Sequence, residues 1–126
     1  MLLHCYRILC TTRLNTRLMF MKVIYSSIIP QKGYKAITIL NMVFVRKGYT
    51  MRLADLNHEA IHWEQEKELA ILPFYLLYIA EFVIRLIKSR NWHTAYRNIS
   101  FEQEAYNNEY NENYIKTRKH YAWLKY

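Results

Sequence analysis

His58 and His62 stand four residues apart in this chain, and Glu59 directly follows the first of them. In a helix, residues four apart lie on the same face, one turn above the other. Two imidazoles at that spacing can bind one metal ion, and the neighbouring carboxylate can reach a water beside it. The segment is therefore predicted to be helical, and a further metal ligand has to come from another element.

The composition is that of one folded domain. The chain has 126 residues, of which 52% are hydrophobic, and this is enough to bury a core. A charged fraction of 22% excludes a disordered chain, and the two glycines and two prolines leave few positions that interrupt regular structure. Cys5 and Cys10 are the only cysteines in the sequence, so no disulfide framework is indicated and a reducing, cytoplasmic location is predicted.

The positive charge is unevenly distributed along the chain. Residues 1–54 contain nine Lys or Arg and no acid, whereas all ten acids lie in residues 55–126. A basic region can favour nucleic acid or an anionic membrane surface. We expect no nucleic-acid binding, because the basic part includes residues 1–20, which we predict to be a weakly structured extension. A translation start at Met19 or Met21 is the alternative, and arginines interrupt the apolar run that a signal peptide needs.

A single α+β domain is predicted for residues 21–126. Residues 22–29 and 34–46 are rich in β-branched and apolar side chains and are predicted to be strands, with turn residues between them. Together they predict a small antiparallel sheet over about residues 22–52. The hydrophobic period becomes helical near Asp55, and three helices are predicted to follow.

Residues 69–87 form the most apolar stretch of the chain. Pro73 is predicted to end or kink the preceding helix. A membrane span needs about 20 apolar residues with few charges. Since this stretch contains Pro73, Glu81 and Arg85, a buried core helix is predicted, and contact with a membrane surface is the alternative.

The residues after His62 limit the type of metal site. The longer pattern HExxHxxGxxH would need Gly at position 65 and His at position 68, but the chain has Gln65 and Glu68. A histidine-only site of that kind is excluded. The third ligand is therefore predicted to be a carboxylate from a later element.

The last helix carries two candidate carboxylates. Ser100 and Gln103 match a capping box, which predicts a helix over residues 101–117. Glu102 and Glu104 lie near its start. Residues two apart are about 200° apart around a helix, so only one of them can face a metal.

The two motifs in this order resemble the gluzincin arrangement, in which a downstream helix supplies a glutamate ligand within a Glu-x-x-Ala pattern. Here that pattern is Glu102-Gln103-Glu104-Ala105. Residues 21–126 more closely resemble a set of small bacterial proteins that share HExxHxxQxxEL, an apolar PFY segment and AYRNISFExEAY. The resemblance implies a single zincin-like domain with Zn2+ as cofactor, held by His58, His62 and Glu102, with Glu104 as the alternative third ligand.

The resemblance departs from the gluzincin pattern at one position. Many gluzincin-like chains carry an Asp directly after the Ala of Glu-x-x-Ala, where it orients a ligand histidine, but this chain has Tyr106. The resemblance therefore assigns no residue to orient the imidazoles. Tyr106 follows Glu102 by one helical turn and is instead a candidate donor to an oxyanion.

We predict from these features a zinc-dependent hydrolase of peptide or protein substrates, with Glu59 as general base. One alternative is a catalytically silent metal-binding protein, in which the metal joins two helices. Another is a membrane-associated interaction protein that uses residues 69–87 as its anchor. The sequence does not indicate an oligomeric state.

Overall fold

A computed structural model of the chain describes residues 5–6 and 21–126, and the predicted α+β class is confirmed. The prediction for residues 1–20 lies, apart from residues 5–6, outside the described residues. The strands are β1 (Cys5–Tyr6), β2 (Lys22–Ser26), β3 (Ala36–Ile39) and β4 (Met42–Arg46). The helices are α1 (Leu53–Leu69), α2 (Leu72–Ser89), α3 (Trp92–Arg97), α4 (Ser100–Asn108) and α5 (Tyr114–Thr117), followed by a 3₁₀ helix (Ala122–Lys125).

The sheet is mixed, so the predicted antiparallel sheet is wrong. Its strand order is β1-β2-β4-β3, with β2 parallel to β4 and the other two pairs antiparallel. The chain leaves β2 and forms β3 at the far edge before β4 returns between them. Strands β2 and β4 are parallel because the chain crosses to β3 between them and does not turn directly from one into the other. A central strand such as β4 can be apolar on both faces.

Residues 34–46 form a hairpin and not the single long strand that was predicted. The turn consists of Leu40 and Asn41, which have φ values of 51° and 60°. Two residues in the left-handed region form the tight turn that matches the twist of antiparallel strands. The sequence hides this turn because Leu40 continues the apolar run and no glycine marks the turn.

Helix α1 begins at Leu53, where the Asp55 carboxylate accepts a 2.8 Å hydrogen bond from the Arg52 backbone N–H. This bond satisfies one of the donors left free at a helix start. The helix ends at Leu69, and Pro73 lies in the first turn of α2, where its missing N–H costs nothing. The expectation that Pro73 marks the break between two helices is therefore confirmed.

Five helices replace the three that were predicted. The expected helix over 101–117 is interrupted between α4 and α5, and Ile99 is the N-cap residue of α4. Ser100 does not cap it, because its hydroxyl donates to Glu81 Oε2 (2.7 Å) and its backbone N–H donates to Glu81 Oε1 (3.1 Å). A carboxylate from α2 thus does the capping that the local sequence suggested for Ser100.

The expectation that residues 69–87 form a buried core helix is also wrong. Phe74 is the buried residue of α2, and it packs with Ile99 and Phe101. Across residues 5–6 and 21–126, no single helix is long and apolar enough to cross a membrane. Helices α1 and α2 have the length and apolar composition of a span only as a pair, and they are bent by 113° where they meet.

Candidate metal centre

One face of α1 buries polar side chains beneath α4. The buried polar residues of α1 are Asn57, His58, Glu59, His62, Gln65 and Glu66. Buried polar groups cost free energy unless each finds a partner. The helical period places His58, His62 and Gln65 in one row, which faces α4.

Three of the predicted site residues meet at this contact. His58 Nε2 lies 3.3 Å from Glu102 Oε2, and His62 Nε2 lies 3.3 Å from Glu102 Oε1. The two histidine Nε2 atoms are 3.1 Å apart. All three side chains are buried, and the cluster could hold a metal ion.

The outer nitrogens of both rings face oxygen acceptors. His58 Nδ1 lies 3.1 Å from Glu109 Oε2, and His62 Nδ1 lies 2.8 Å from Gln65 Oε1. An acceptor at Nδ1 favours the tautomer in which Nδ1 carries the proton and Nε2 carries the lone pair. The Nε2 lone pairs of both histidines then face the Glu102 carboxylate, and a cation between them would be stabilised.

Glu102 is the anionic member of the cluster. Its Oε1 accepts a 2.6 Å hydrogen bond from the Tyr78 hydroxyl. Its Oε2 is buried and accepts no hydrogen bond from any residue in 5–6 or 21–126. A buried carboxylate oxygen without a hydrogen-bond donor is expected where a metal ion is the intended partner.

Protonation of the cluster is shifted in the direction that supplies positive charge. Burial lowers the pKa of His58, but its contacts with the carboxylates of Glu102 and Glu109 outweigh burial and raise that pKa to about 10. The pKa of His62 is also raised, since the charge of Glu102 outweighs burial. Burial raises the pKa of Glu102, but both histidines overcome it and hold that pKa far below its usual value. The carboxylate therefore stays ionised, and either protons or a metal ion must balance it.

Glu59 turns away from the two histidines toward the sheet. Its Oε2 accepts a 2.7 Å hydrogen bond from the hydroxyl of Thr38 on β3. Glu59, His62 and Glu102 line a cleft of about 500 Å³ between β3, α2 and α3. The carboxylate of Glu59 is thus held on the same cleft wall as two of the cluster residues.

Glu104 does not reach the cluster. Its Oε1 accepts hydrogen bonds from Tyr114 (2.8 Å) and Arg118 (2.5 Å). Its Oε2 accepts one from Gln65 Nε2 (2.9 Å), and Gln65 in turn contacts His62. Glu104 therefore supports the residue that orients His62, whereas Glu102 faces both histidines.

Tyr106 lies beside His58 but not among the residues that line the cleft. Its ring packs edge-on against the His58 ring, with centroids 4.5 Å apart, and the Arg97 guanidinium lies 3.7 Å from the Tyr106 centroid. Tyr78 and Tyr96 are the tyrosines that line the cleft next to Glu102. Burial and the charge of Glu102 raise the pKa of both hydroxyls, so both keep their protons and can donate.

Sequence reasoning missed several residues of the site. Gln65 follows His62 by three residues on the same helix face, and that spacing was a usable signal. Glu109 lies just past the end of α4, where a helical spacing rule no longer applies. Tyr78 was hidden within an apolar stretch.

Comparisons of the chain with protein-family models, curated proteins and solved structures found no match. The site is therefore interpreted from its own geometry.

Proposed function

We propose that this protein is a zinc-dependent hydrolase of peptide bonds. The observation that carries the proposal is the convergence of His58, His62 and Glu102 beside a cleft that His62, Glu102 and Glu59 line. This is the donor set and base of a catalytic zinc site.

The distances between neighbouring candidate ligand atoms support zinc. A tetrahedral site with zinc–ligand bonds of about 2.0–2.1 Å has edges of about 3.3–3.4 Å between ligand atoms. The two histidine Nε2 atoms are 3.1 Å apart, His58 Nε2 lies 3.3 Å from Glu102 Oε2, and His62 Nε2 lies 3.3 Å from Glu102 Oε1. Two imidazole nitrogens and one carboxylate oxygen are also ligands that zinc prefers.

An open coordination position supports a catalytic role over a structural one. A structural zinc site has four protein ligands, whereas a catalytic site keeps one position for water or substrate. Within the part of the chain that the structure describes, His58, His62 and Glu102 are the only group of His, Cys, Asp or Glu that could hold a metal ion together. The cleft reaches two of these ligands, so a substrate has access to the site.

The residues around the cluster have separable roles. Bound zinc supplies Lewis acidity, which polarises a carbonyl and lowers the pKa of a water. Glu59 is placed to take the proton from the attacking water and to deliver it to the leaving amine. Thr38 holds the Glu59 carboxylate in position by their hydrogen bond, and the Tyr78 hydroxyl holds Glu102 in the same way. Tyr96, which also lines the cleft, is the candidate donor to a developing oxyanion.

Strand β3 is an outer strand of the sheet in the described residues, and this supports an extended peptide as substrate. At this edge the Thr38 carbonyl is 3.5 Å from the Tyr75 hydroxyl, which donates to it. Arg46 N–H donates to Lys35 C=O (2.9 Å), and the antiparallel pairing continues to Ile39 and Met42. Because antiparallel pairs alternate, Ala36 and Thr38 direct their backbone groups away from β4, and both line the cleft. An extended segment can add to this edge as a further strand.

Glu59→Gln tests the proposed function. The amide keeps the size of the side chain but cannot accept a proton as a base. We expect the variant to bind zinc as the wild type does, and its cleavage of a mixed peptide library, followed by mass spectrometry, to fall roughly 10²–10⁴-fold. Glu64→Gln, on the same helix but not on the cleft wall, is the matched control. Equal cleavage by zinc-loaded Glu59→Gln and wild type would refute the mechanism.

A further inference from the structure

Helix α2 presents an apolar face to solvent along its whole length. Seven large apolar side chains of this helix are 44–71% exposed. They are Leu72, Leu76, Leu77, Ile79, Val83, Ile84 and Ile87. Since the helix has 18 residues, the face is about 27 Å long. Contiguous apolar surfaces of this kind mark contact with another molecule or with a membrane. We call these seven residues the α2 face.

The polarity of α2 is reversed relative to an ordinary surface helix. The side that packs on the protein carries Glu81, which binds Ser100, and Arg85, which pairs with Glu81 (3.0 Å). An ordinary surface helix turns its charged residues to water and its apolar residues to the core. An apolar partner of α2 is therefore expected on the side of the helix that faces away from the rest of the protein.

The charges around the α2 face favour an anionic occupant. Residues 69–99 contain one acid, Glu81, and it is paired with Arg85. Lys88 and Arg90 are exposed at the C-terminal end of the helix. Basic residues beside an exposed apolar helix face are the arrangement of helices that lie in the headgroup region of a membrane.

The α2 face continues to the mouth of the cleft. Ile79 on α2, Ile28 before β3 and Trp92 at the start of α3 all line the cleft, and they are 58%, 71% and 57% exposed. Tryptophan and isoleucine at such a rim can enter the boundary between headgroups and acyl chains. The apolar surface therefore includes a second segment of the chain, and one flat surface can contact both.

We infer that the α2 face is a docking surface for an anionic lipid bilayer, on which α2 lies parallel to the membrane plane. The helix does not span the bilayer, because its inner side carries the Glu81–Arg85 pair and packs on Phe101 through Phe74. A second copy of the chain is the competing occupant. The basic residues disfavour it, because Glu81, the one acid in residues 69–99, is paired with Arg85, so this part of a second copy offers Lys88 and Arg90 no acidic partner.

Docking has a consequence for the substrate that rests on the proposed function. The mouth of the cleft would face the lipid surface. The hydrolase would then act on extended segments that emerge from a membrane, in preference to peptides free in solution.

Co-sedimentation of the full chain with vesicles tests the inference. We expect binding to vesicles that contain phosphatidylglycerol, with at least tenfold weaker binding to pure phosphatidylcholine vesicles and to the anionic vesicles at high salt. Leu76→Gln/Ile87→Gln should weaken the anionic binding by roughly tenfold or more. The matched control is Leu53→Gln/Leu124→Gln, which alters exposed apolar residues on other elements and should bind as wild type.

Charge and assembly provide the remaining outcomes. Lys88→Gln should weaken binding about fivefold, whereas Lys119→Gln, an exposed lysine elsewhere, should not. Equal binding of wild type and Leu76→Gln/Ile87→Gln would overturn the inference. The inference would also be overturned if the wild type formed a dimer that does not bind vesicles and Leu76→Gln/Ile87→Gln were a monomer. Glu59→Gln should still bind vesicles, so loss of hydrolysis and loss of docking can be told apart.

Discussion

At the scale of single residues, the site depends on how the two imidazoles are oriented. Glu109 and Gln65 accept from the Nδ1 atoms of His58 and His62, so that both Nε2 atoms face Glu102. A zinc-bound histidine usually has such an acceptor, which fixes the ring and raises its basicity. Tyr106 packs against the ring of His58, and Glu109, three residues later, contacts Nδ1 of that ring.

Removal of Glu109 should weaken the metal site without removing a ligand. Glu109→Ala leaves His58 Nδ1 without its acceptor, so the ring can rotate or change tautomer. We expect zinc affinity to fall roughly 10–100-fold, as measured by competition with a chelator. Glu112→Ala removes an exposed acid three residues further on and should leave the affinity unchanged. Equal affinities of the two variants would mean that Glu109 does not orient His58.

The spacing of the sequence predicted that His58 and His62 share a helix face, and the resemblance favoured Glu102 over Glu104 as their partner. Neither predicted the residues that support this cluster. His58 and His62 follow from one helical spacing, and Glu102 and Glu104 follow from a second helix with two possible faces. The supports depend on chain distance, since Glu109 contacts a residue 51 positions earlier. No local pattern specifies that contact, because it forms only when α1 packs on α4.

At the scale of elements, the contact between α1 and α4 builds the site. Asn57 Nδ2 donates to the backbone carbonyls of Asn108 (3.2 Å), Glu109 (2.9 Å) and Asn111 (3.0 Å). These carbonyls lie at and just beyond the end of α4, where those of Asn108 and Asn111 also accept from the backbone N–H groups of Asn111 and Tyr114. The residue just before the histidine motif therefore fixes the segment that carries Glu109.

Asn57→Ala should both destabilise the fold and loosen the site. The loss removes three hydrogen bonds that a buried side chain donates, so the free energy of unfolding should fall by about 1–3 kcal/mol in urea titrations. Zinc affinity should fall as well, because Glu109 loses its fixed position. Asn107→Ala is the control, since Asn107 is exposed and its side chain bonds one turn back within α4. A normal zinc affinity in Asn57→Ala would show that these contacts between α1 and the end of α4 do not determine metal binding.

The elements that were predicted wrongly share one physical cause. Leu40 and Asn41 adopt a turn that their own side chains do not require, and Ser100 donates to Glu81 instead of capping α4. At Leu40 the pairing of β3 with β4 outweighs the local preference, and at Ser100 the contact with Glu81 of α2 outweighs it. Boundaries marked by strong local chemistry, such as Asp55 and Pro73, were predicted correctly.

At the scale of the whole molecule, polarity is distributed in an unusual way. Ionisable groups are buried where α1 meets α4, and apolar side chains are exposed along α2. The α+β class was predictable from the change of hydrophobic period near Asp55. The exposure of residues 69–87 was not, because an apolar helix face has the same sequence whether protein or another medium covers it.

The stability of the metal-free protein should fall as the pH rises above about 6.5. The folded-state pKa of His58 is raised to about 10, above its ordinary 6.5, so the native state holds a proton that the unfolded chain releases between these values. The contribution is complete below pH 6.5 and is lost as the pH approaches 10. The slope for one proton is at most about 1.4 kcal/mol per pH unit.

Urea unfolding at pH 7 and pH 9 with a chelator present measures this slope. His58→Gln should reduce it, and saturating zinc should remove it, because a metal ion replaces the proton. A slope that is the same in wild type and His58→Gln would assign the effect to other groups. The lowered pKa of Glu102 changes stability with pH in the opposite direction. Its stabilising contribution is present above pH 4.5, the ordinary pKa of the carboxyl, and is lost as the pH falls below that value.

Zinc titration of the wild type, Glu102→Gln and Glu112→Gln tests the central claim most directly. The account predicts one tightly bound zinc per chain in the wild type and in Glu112→Gln. We predict that the zinc affinity of Glu102→Gln is more than about 100-fold lower, which is a larger loss than the removal of a residue that only orients a ligand should cause. One zinc bound by Glu102→Gln as tightly as by the wild type would contradict it.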